Sequence, residues 1–404
     1  MEKKTICLVT NWYPTPENPY RGVFFKEQAF ALKEKYDFLI LRYEERKQMK
    51  VKERFELSKC NEEENTVEYK FIVNVPKLKA GADFVSAARS KVSGNNEKNE
   101  SKRIEYIKEV VAEAVDKNFK DAFDYLYCVE SQKEAFLLEA ISKVSGKPYI
   151  VGEHAPFPWP GTIIEDYQKE AINNANAYLA ISYDKIRQIM LQGVKLPKTF
   201  YIGNLIDENR YKLIDSSKGK VKTLLIIAAY NYYKNYDLFI NIIERLLEIT
   251  NEPFKVLIVG YGSNKGYSEN AEELEERIKK SKFSDRAELI REVPHDELNK
   301  IYERSDAFLM TSIQEGQPVS ALEAACTGLP IFSTRCGGVE DYTDDSTGRI
   351  FNVNEVEKFA LELKDFIEEK TVFDNKKIRE NVVKRFGKEA FIKNFVEAFE
   401  SVEK

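Results

Sequence analysis

Apolar residues along this chain come in short runs, separated by longer stretches in which they recur every three or four positions. A short continuous run suits a strand buried on both faces, and a period near 3.6 suits a helix with one buried stripe. Runs at residues 5–11, 38–42, 67–73, 125–128, 148–152 and 178–181 predict the strands of a first sheet. Runs at 223–229, 254–259, 287–290, 307–311 and 329–333 predict a second. Periodic stretches between them predict helices at about 23–35, from 183 to a glycine stop at Gly193, and at 237–249, 270–281, 296–304 and 318–327, followed by two terminal helices. Such alternation builds βαβ units, so the expected fold class is α/β, with two Rossmann-like domains, each on its own parallel sheet. The chain turns polar at 205–220, which places a boundary between 1–205 and 206–387. Two such domains face each other across a cleft at the carboxyl ends of their strands, the default place for a ligand.

Residues 77–103 break the pattern. They carry seven Lys and Arg against three acids, which reads either as a solvated excursion or as a patch for an anionic membrane surface or a charged acceptor. The whole chain of 404 residues is not basic: 62 Lys and Arg stand against 67 Asp and Glu, a net charge of −5. No global field favours nucleic acid. With 43% hydrophobic residues there is material for two real cores. No apolar stretch approaches the roughly 20 residues of a membrane span, and the run at 6–9 is too short for a signal-peptide core. Five cysteines without a C-x-x-C pair and only two histidines, His154 and His295, offer no zinc spacing. Reduced thiols and a cytoplasmic location are the expectation.

The richest segment for chemistry runs from Ser312 to Pro330 as strand end, loop, helix and strand. Pro318 suits the first helical position, where its missing N–H costs nothing. The N–H groups of Val319 and Ser320 then form the positive start of a helix, an anion site. Glu315 and Glu323 flank it. Carboxylates beside an anion site need another partner, and the paired hydroxyls of a sugar or ribose supply one. The same acids also fit plain roles as a first-turn helix acid and a surface acid. Ser182 reads as a helix cap. Gly260 and Gly262 begin a dinucleotide-like pattern, but the next glycine, Gly266, is one place late and the fingerprint fails. No D-x-D motif is present to bind a metal diphosphate, so no metal and no cofactor are expected.

The spacing of Glu315 and Glu323, with Gly316, Leu322, Ala324, Gly328 and Pro330 around them, resembles the signature of retaining glycosyltransferases of family 4, the group 1 glycosyltransferases with the GT-B fold. Further pieces resemble that family in the same chain order. They are Tyr13-Pro14 to Arg21-Gly22 with Lys26-Glu-Gln28, Gly152-Glu-His154, Tyr201 to Asp207, Ile226 to Lys234, Ile258 to Gly262, and Gly337-Gly338. The resemblance implies that the last helix, about 388–404, returns to the first domain. It implies that 1–205 binds the acceptor and 206–387 the nucleotide-sugar.

By the same resemblance, Glu323 holds the ribose hydroxyls, while Glu315 and the backbone of Gly316, Gln317, Pro318 and Val319 hold the donor sugar. The N–H groups at the helix start, with Ser320, lie near the diphosphate. Lys234 neutralises the diphosphate as it leaves, and Gly22 lets the first loop's backbone approach the phosphates. His154 faces the donor sugar, and the base lies against the backbone near Arg291–Val293. Two departures stand out: Ala229 occupies the place of the family's usual arginine, with Arg335 or Arg349 as replacements, and Gln317 and Pro318 replace an aromatic residue and a glycine. The implied reaction moves a sugar from a UDP-linked donor to a hydroxyl of a glycan or lipid-linked acceptor, by same-face attack with the leaving phosphate as base. Peripheral contact with the cytoplasmic membrane face goes with that setting. The rival reading is a module that binds a nucleotide-sugar or a partner enzyme without turnover.

Overall fold

The computed structural model describes residues 3–18, 21–77, 95–158, 161–214, 221–262 and 270–403, without the side chains of 95–98. The chain divides into two compact units. The first comprises Met1–Ala180, Gln188–Tyr201 and Ile392–Lys404, and the second Ile181–Arg187 and Ile202–Phe391.

The first unit is built on β1 (Lys4–Thr10), β2 (Tyr36–Gln48), β3 (Phe55–Glu63), β4 (Thr66–Pro76), β5 (Tyr125–Cys128), β6 (Tyr149–Glu153), β7 (Ala177–Ala180) and β8 (Thr199–Tyr201). Their order is β3-β4-β2-β1-β5-β6-β7-β8. Central β1 buries Ile6, Cys7, Leu8 and Val9 together, the mark of a strand covered on both faces. All neighbours are parallel except β3 and β4, an antiparallel hairpin. The first sheet is therefore mixed, not purely parallel. Strand β3 has no apolar run to announce it: it is an edge strand carrying Glu56, Lys59, Glu62 and Glu63, charges that keep an open edge from pairing with another chain.

The expected break at 77–103 is also corrected in part. Residues 78–94 lie outside the described residues, but Asn95–Asn118 is a helix whose Ile104, Ile107, Val110, Val111, Ala114 and Val115 form a buried stripe. Arg103, counted there as basic surface, pairs with Glu45 and Glu100.

The second unit holds β9 (Lys222–Ile227), β10 (Phe254–Val259), β11 (Ala287–Ile290), β12 (Ala307–Met310), β13 (Ile331–Thr334) and β14 (Gly348–Phe351), all parallel, in the order β11-β10-β9-β12-β13-β14. The sheet grows outward from β9 in both directions, which makes the space between the carboxyl ends of β9 and β12 its topological switch point. The helix Tyr236–Ile249 covers one face with Phe239, Ile242, Ile243 and Leu246, all fully buried. The helix expected at 296–304 is a 3₁₀ turn, His295–Glu297, followed by the helix Leu298–Glu303. Beyond β13 come β14 and three helices, Val356–Ile367, Asn375–Phe386 and Lys388–Glu400, where two helices were expected. No helix among the described residues is long and apolar enough to cross a membrane.

The final helix supplies core to the first unit. Phe395 and Phe399 stack at 4.5 Å, and Phe399 meets the rings of Tyr36, Tyr125 and Tyr127 at 5.4–5.8 Å. Replacing fully buried Phe399 by Ala should cost about 3–5 kcal/mol in denaturant unfolding. A cost below about 1 kcal/mol would show that this helix end is not part of the core.

Candidate functional site

The functional residues expected in the second unit all follow the carboxyl ends of its strands. After β9 the chain makes a 3₁₀ turn, Tyr232–Lys234, capped by the Asn231 side chain accepting from the Lys234 N–H. After β12 comes the loop that carries Glu315. The two segments are joined: the Ile313 N–H donates to the Tyr233 carbonyl at 2.7 Å and the Thr311 hydroxyl to the Lys234 carbonyl at 3.0 Å. This backbone bracing brings Lys234 Nζ to 2.6 Å from Glu315 Oε1 at the switch point. The glutamate side chain is 9% exposed and the lysine 23%. Screening by water is weak there, so the ion pair is strong enough to fix both side chains.

The helix Val319–Cys326 begins one residue after Pro318, whose carbonyl accepts from Leu322 at 3.2 Å. Its first N–H groups, those of Val319 and Ser320 among them, have no partner within the helix and carry the positive end of its dipole. Beneath the loop lie Gly337 and Gly338, both with left-handed φ (100° and 72°). A Cβ at Gly338 would stand 2.4 Å from the Gly316 carbonyl oxygen, so only glycine lets the β13 loop pack there. Gln317 and Gly316 are buried, and Gln317 is bound within its own unit. Its Oε1 accepts from the Asn204 N–H at 2.5 Å, and its carbonyl accepts from Asn204 Nδ2 at 2.9 Å. In place of the usual aromatic residue, Gln317 thus ties the loop to Asn204.

Glu323, in the second turn of that helix, is 4% exposed. Oε1 accepts the Tyr211 hydroxyl at 2.6 Å and Oε2 the Tyr302 hydroxyl at 2.7 Å. Burial, then the nearby Glu323 charge, pushes both phenols well above their ordinary range, so both stay protonated donors. Tyr211 is itself pinned: its carbonyl accepts from Arg379, which also donates to the carbonyls of Cys326 and Glu208. His295 completes the cluster, with Nε2 3.4 Å from Glu323 Oε1 and Nδ1 3.0 Å from Arg210 Nη1. Sequence reasoning named neither tyrosine, nor His295, as part of a site. Tyr302 and Glu323 are 21 positions apart and Tyr211 and Glu323 are 112 apart, and no local motif links them.

Arg291 binds Glu272 and Glu275 of the helix Ala271–Lys280, each at 2.8 Å, and its stem packs on Gly262. Val293 is half-buried beside it in sequence. Arg349 binds Glu362 at 2.9 Å and the carbonyls of Asp345 and Gly348, at the amino-terminal end of β14, so it does not stand in for the arginine missing at Ala229. Arg335 is exposed, just past β13. Ser182 does cap its helix, accepting from the Lys185 N–H at 3.2 Å. No group of three or more His, Cys, Asp or Glu side chains among the described residues could hold a metal ion.

In the first unit, His154 follows β6. Its N–H donates to the Val129 carbonyl, Nε2 lies 3.3 Å from the Tyr127 hydroxyl, and its ring meets Phe25 edge-on at 5.0 Å. Phe25 belongs to the helix Val23–Ala31 that Gly22 precedes, so the first loop and His154 are neighbours. Gly22 has φ 63°, and a Cβ there would stand 2.5 Å from the Trp12 carbonyl oxygen, a local need for glycine independent of any ligand.

Tyr302→Phe removes one donor from a buried carboxylate and should cost about 1–3 kcal/mol of stability by urea unfolding. An unchanged midpoint would mean that Glu323 is not held as described.

Residues 207–389 match the family described as glycosyl transferases group 1. A phosphatidylinositol N-acetylglucosaminyltransferase subunit from Arabidopsis thaliana is 28% identical over 40% of this chain and 35% of its own length. The amylovoran biosynthesis glycosyltransferase AmsD of Erwinia amylovora is 26% identical over 45% of this chain and 50% of its own. The chain thus matches only about a third to a half of these relatives' length. The structure of Anabaena HepE in complex with UDP superposes with a TM-score of 0.67 at 14% identity, covering 98% of this chain and 100% of that one, a likeness of fold. Over residues 207–389 this chain is therefore similar to the group 1 glycosyl transferases, and the whole chain has the GT-B fold.

Proposed function

We propose that this protein transfers a sugar from a UDP-linked donor to a hydroxyl of a glycan or lipid-linked acceptor, keeping the anomeric configuration and using no metal. The observation that carries this reading is the Lys234–Glu315 pair at the switch point, beside the open start of the helix Val319–Cys326. A leaving diphosphate gains negative charge as the glycosidic bond breaks. A fixed ammonium and free backbone N–H groups stabilise that charge more in the transition state than in the ground state. Glu315, already aimed by the lysine, is suited to accept sugar hydroxyls. Glu323 is suited to the ribose and Arg291–Val293 to the base. His154 is assigned to the donor sugar on the family resemblance alone. UDP in the similarly folded Anabaena protein supports a UDP-linked donor. The relatives named for phosphatidylinositol and amylovoran glycosyltransferases support a lipid or glycan acceptor.

A binding module without turnover is the second reading, and Ala229 favours it, because one cation expected near the diphosphate is absent from that position. Two measurements decide. A ligand that binds only the folded state raises the melting temperature, so a screen of UDP, GDP and ADP and their sugar conjugates should show a rise with UDP compounds that Glu323→Gln diminishes. No rise with any compound would contradict the nucleotide-sugar reading. Lys234→Ala should then lower turnover of the bound donor about 100-fold or more. Undiminished turnover would remove Lys234 from the chemistry, and a wild type that binds donor but never turns it over would favour the module.

A further inference from the structure

Glu323 is suited to ribose, yet its side chain is only 5% exposed and each of its oxygens already takes a tyrosine hydroxyl. His295, whose side chain is 32% exposed, brings this cluster to the surface beside half-buried Arg210. It sits in the turn His295–Glu297, two residues past Val293. A guanidinium can only donate, so Arg210 Nη1, 3.0 Å away, makes Nδ1 of His295 an acceptor. The neutral ring then carries its proton on Nε2, the nitrogen 3.4 Å from both Glu323 Oε1 and the Tyr211 hydroxyl. Oε1 accepts one hydrogen bond from Tyr211, and a carboxylate oxygen has room for a second. A donor and an acceptor therefore stand side by side at the edge of the cluster, the complement of an alcohol, which both accepts and donates.

We propose that His295 is a ribose-contacting residue. Its Nε2–H donates to a ribose hydroxyl of the bound nucleotide, whose own proton goes to Glu323 Oε1, while Arg210 is a positioning residue that fixes the histidine tautomer. This inference rests on the nucleotide-sugar reading above. It deepens that reading by assigning discrimination between ribose and deoxyribose to a side chain outside the two-glutamate motif.

The test is calorimetric binding of UDP, 2′-deoxy-UDP and 3′-deoxy-UDP to the full chain. The wild type should prefer UDP over at least one deoxy analogue by about tenfold, the usual scale of one well-made hydrogen bond to a charged site. His295→Asn keeps an acceptor near Arg210 but removes the donor at the Nε2 position, and should reduce that preference to about twofold or less. His295→Gln returns an N–H near that position and should recover part of it, which a merely structural role would not do. An Asn variant that folds like the wild type and keeps the full preference overturns the inference while leaving the nucleotide-sugar reading intact. A wild type without preference overturns it equally. A wild type that binds none of UDP, GDP and ADP overturns the nucleotide-sugar reading and this inference with it.

Discussion

The second unit is organised around one ion pair, Lys234 with Glu315, set at the point where its sheet reverses direction of growth. Neither residue could be there alone at low cost. A carboxylate 9% exposed needs a partner, and removing one member of such a pair leaves the other desolvated and uncompensated. The surrounding backbone is spent on keeping the two together. The turn at Tyr232–Lys234 is capped by Asn231 and laced to the loop after β12, and that loop rests on two glycines that no other residue could replace without a clash. A diphosphate arriving here would meet a lysine whose position has been fixed in advance, so little reorganisation is left for the moment of reaction.

Glu323 illustrates a second way of keeping a charge in a dry place. Instead of a cation it has two phenols, each held protonated by burial, on its two oxygens. Hydrogen bonds to a charged group are worth roughly twice those between neutral groups, which offsets part of the desolvation. The arrangement also fixes position: with both oxygens anchored, Oε1 stands 3.4 Å from His295 Nε2. Arg379, far along the chain, holds the Tyr211 backbone, and Arg210 holds His295.

Much of this was legible in the sequence where local pattern and physics agree. The strands 125–128, 254–259 and 287–290 are short and mostly apolar, each of the last two broken by one exposed charge, and stand at the residues expected. The Glu315-to-Glu323 segment lies on a loop and helix as its proline and apolar spacing indicate. What failed did so for identifiable reasons. Strand β3 alternates weakly and is charged because it is an edge. The helix Asn95–Asn118 opens with polar and basic residues that mask the apolar stripe from Ile104 onward. Strand β14 is only Gly-Arg-Ile-Phe, too short and too polar to register. The Tyr211–Tyr302–His295 cluster depends on contacts between distant residues, and such contacts leave no local period. Arg291 and Arg349 look available in sequence, but their acidic partners on the helices Ala271–Lys280 and Val356–Ile367 become visible only in three dimensions.

The central claim is that a nucleotide diphosphate is held where Lys234 meets Glu315. A crystal structure of the protein grown with UDP tests it most directly. The account predicts a phosphate oxygen of UDP within hydrogen-bond distance of Lys234 Nζ and of a backbone N–H at the start of the helix Val319–Cys326. UDP bound elsewhere on the second unit, with the Lys234–Glu315 contact untouched, would contradict it.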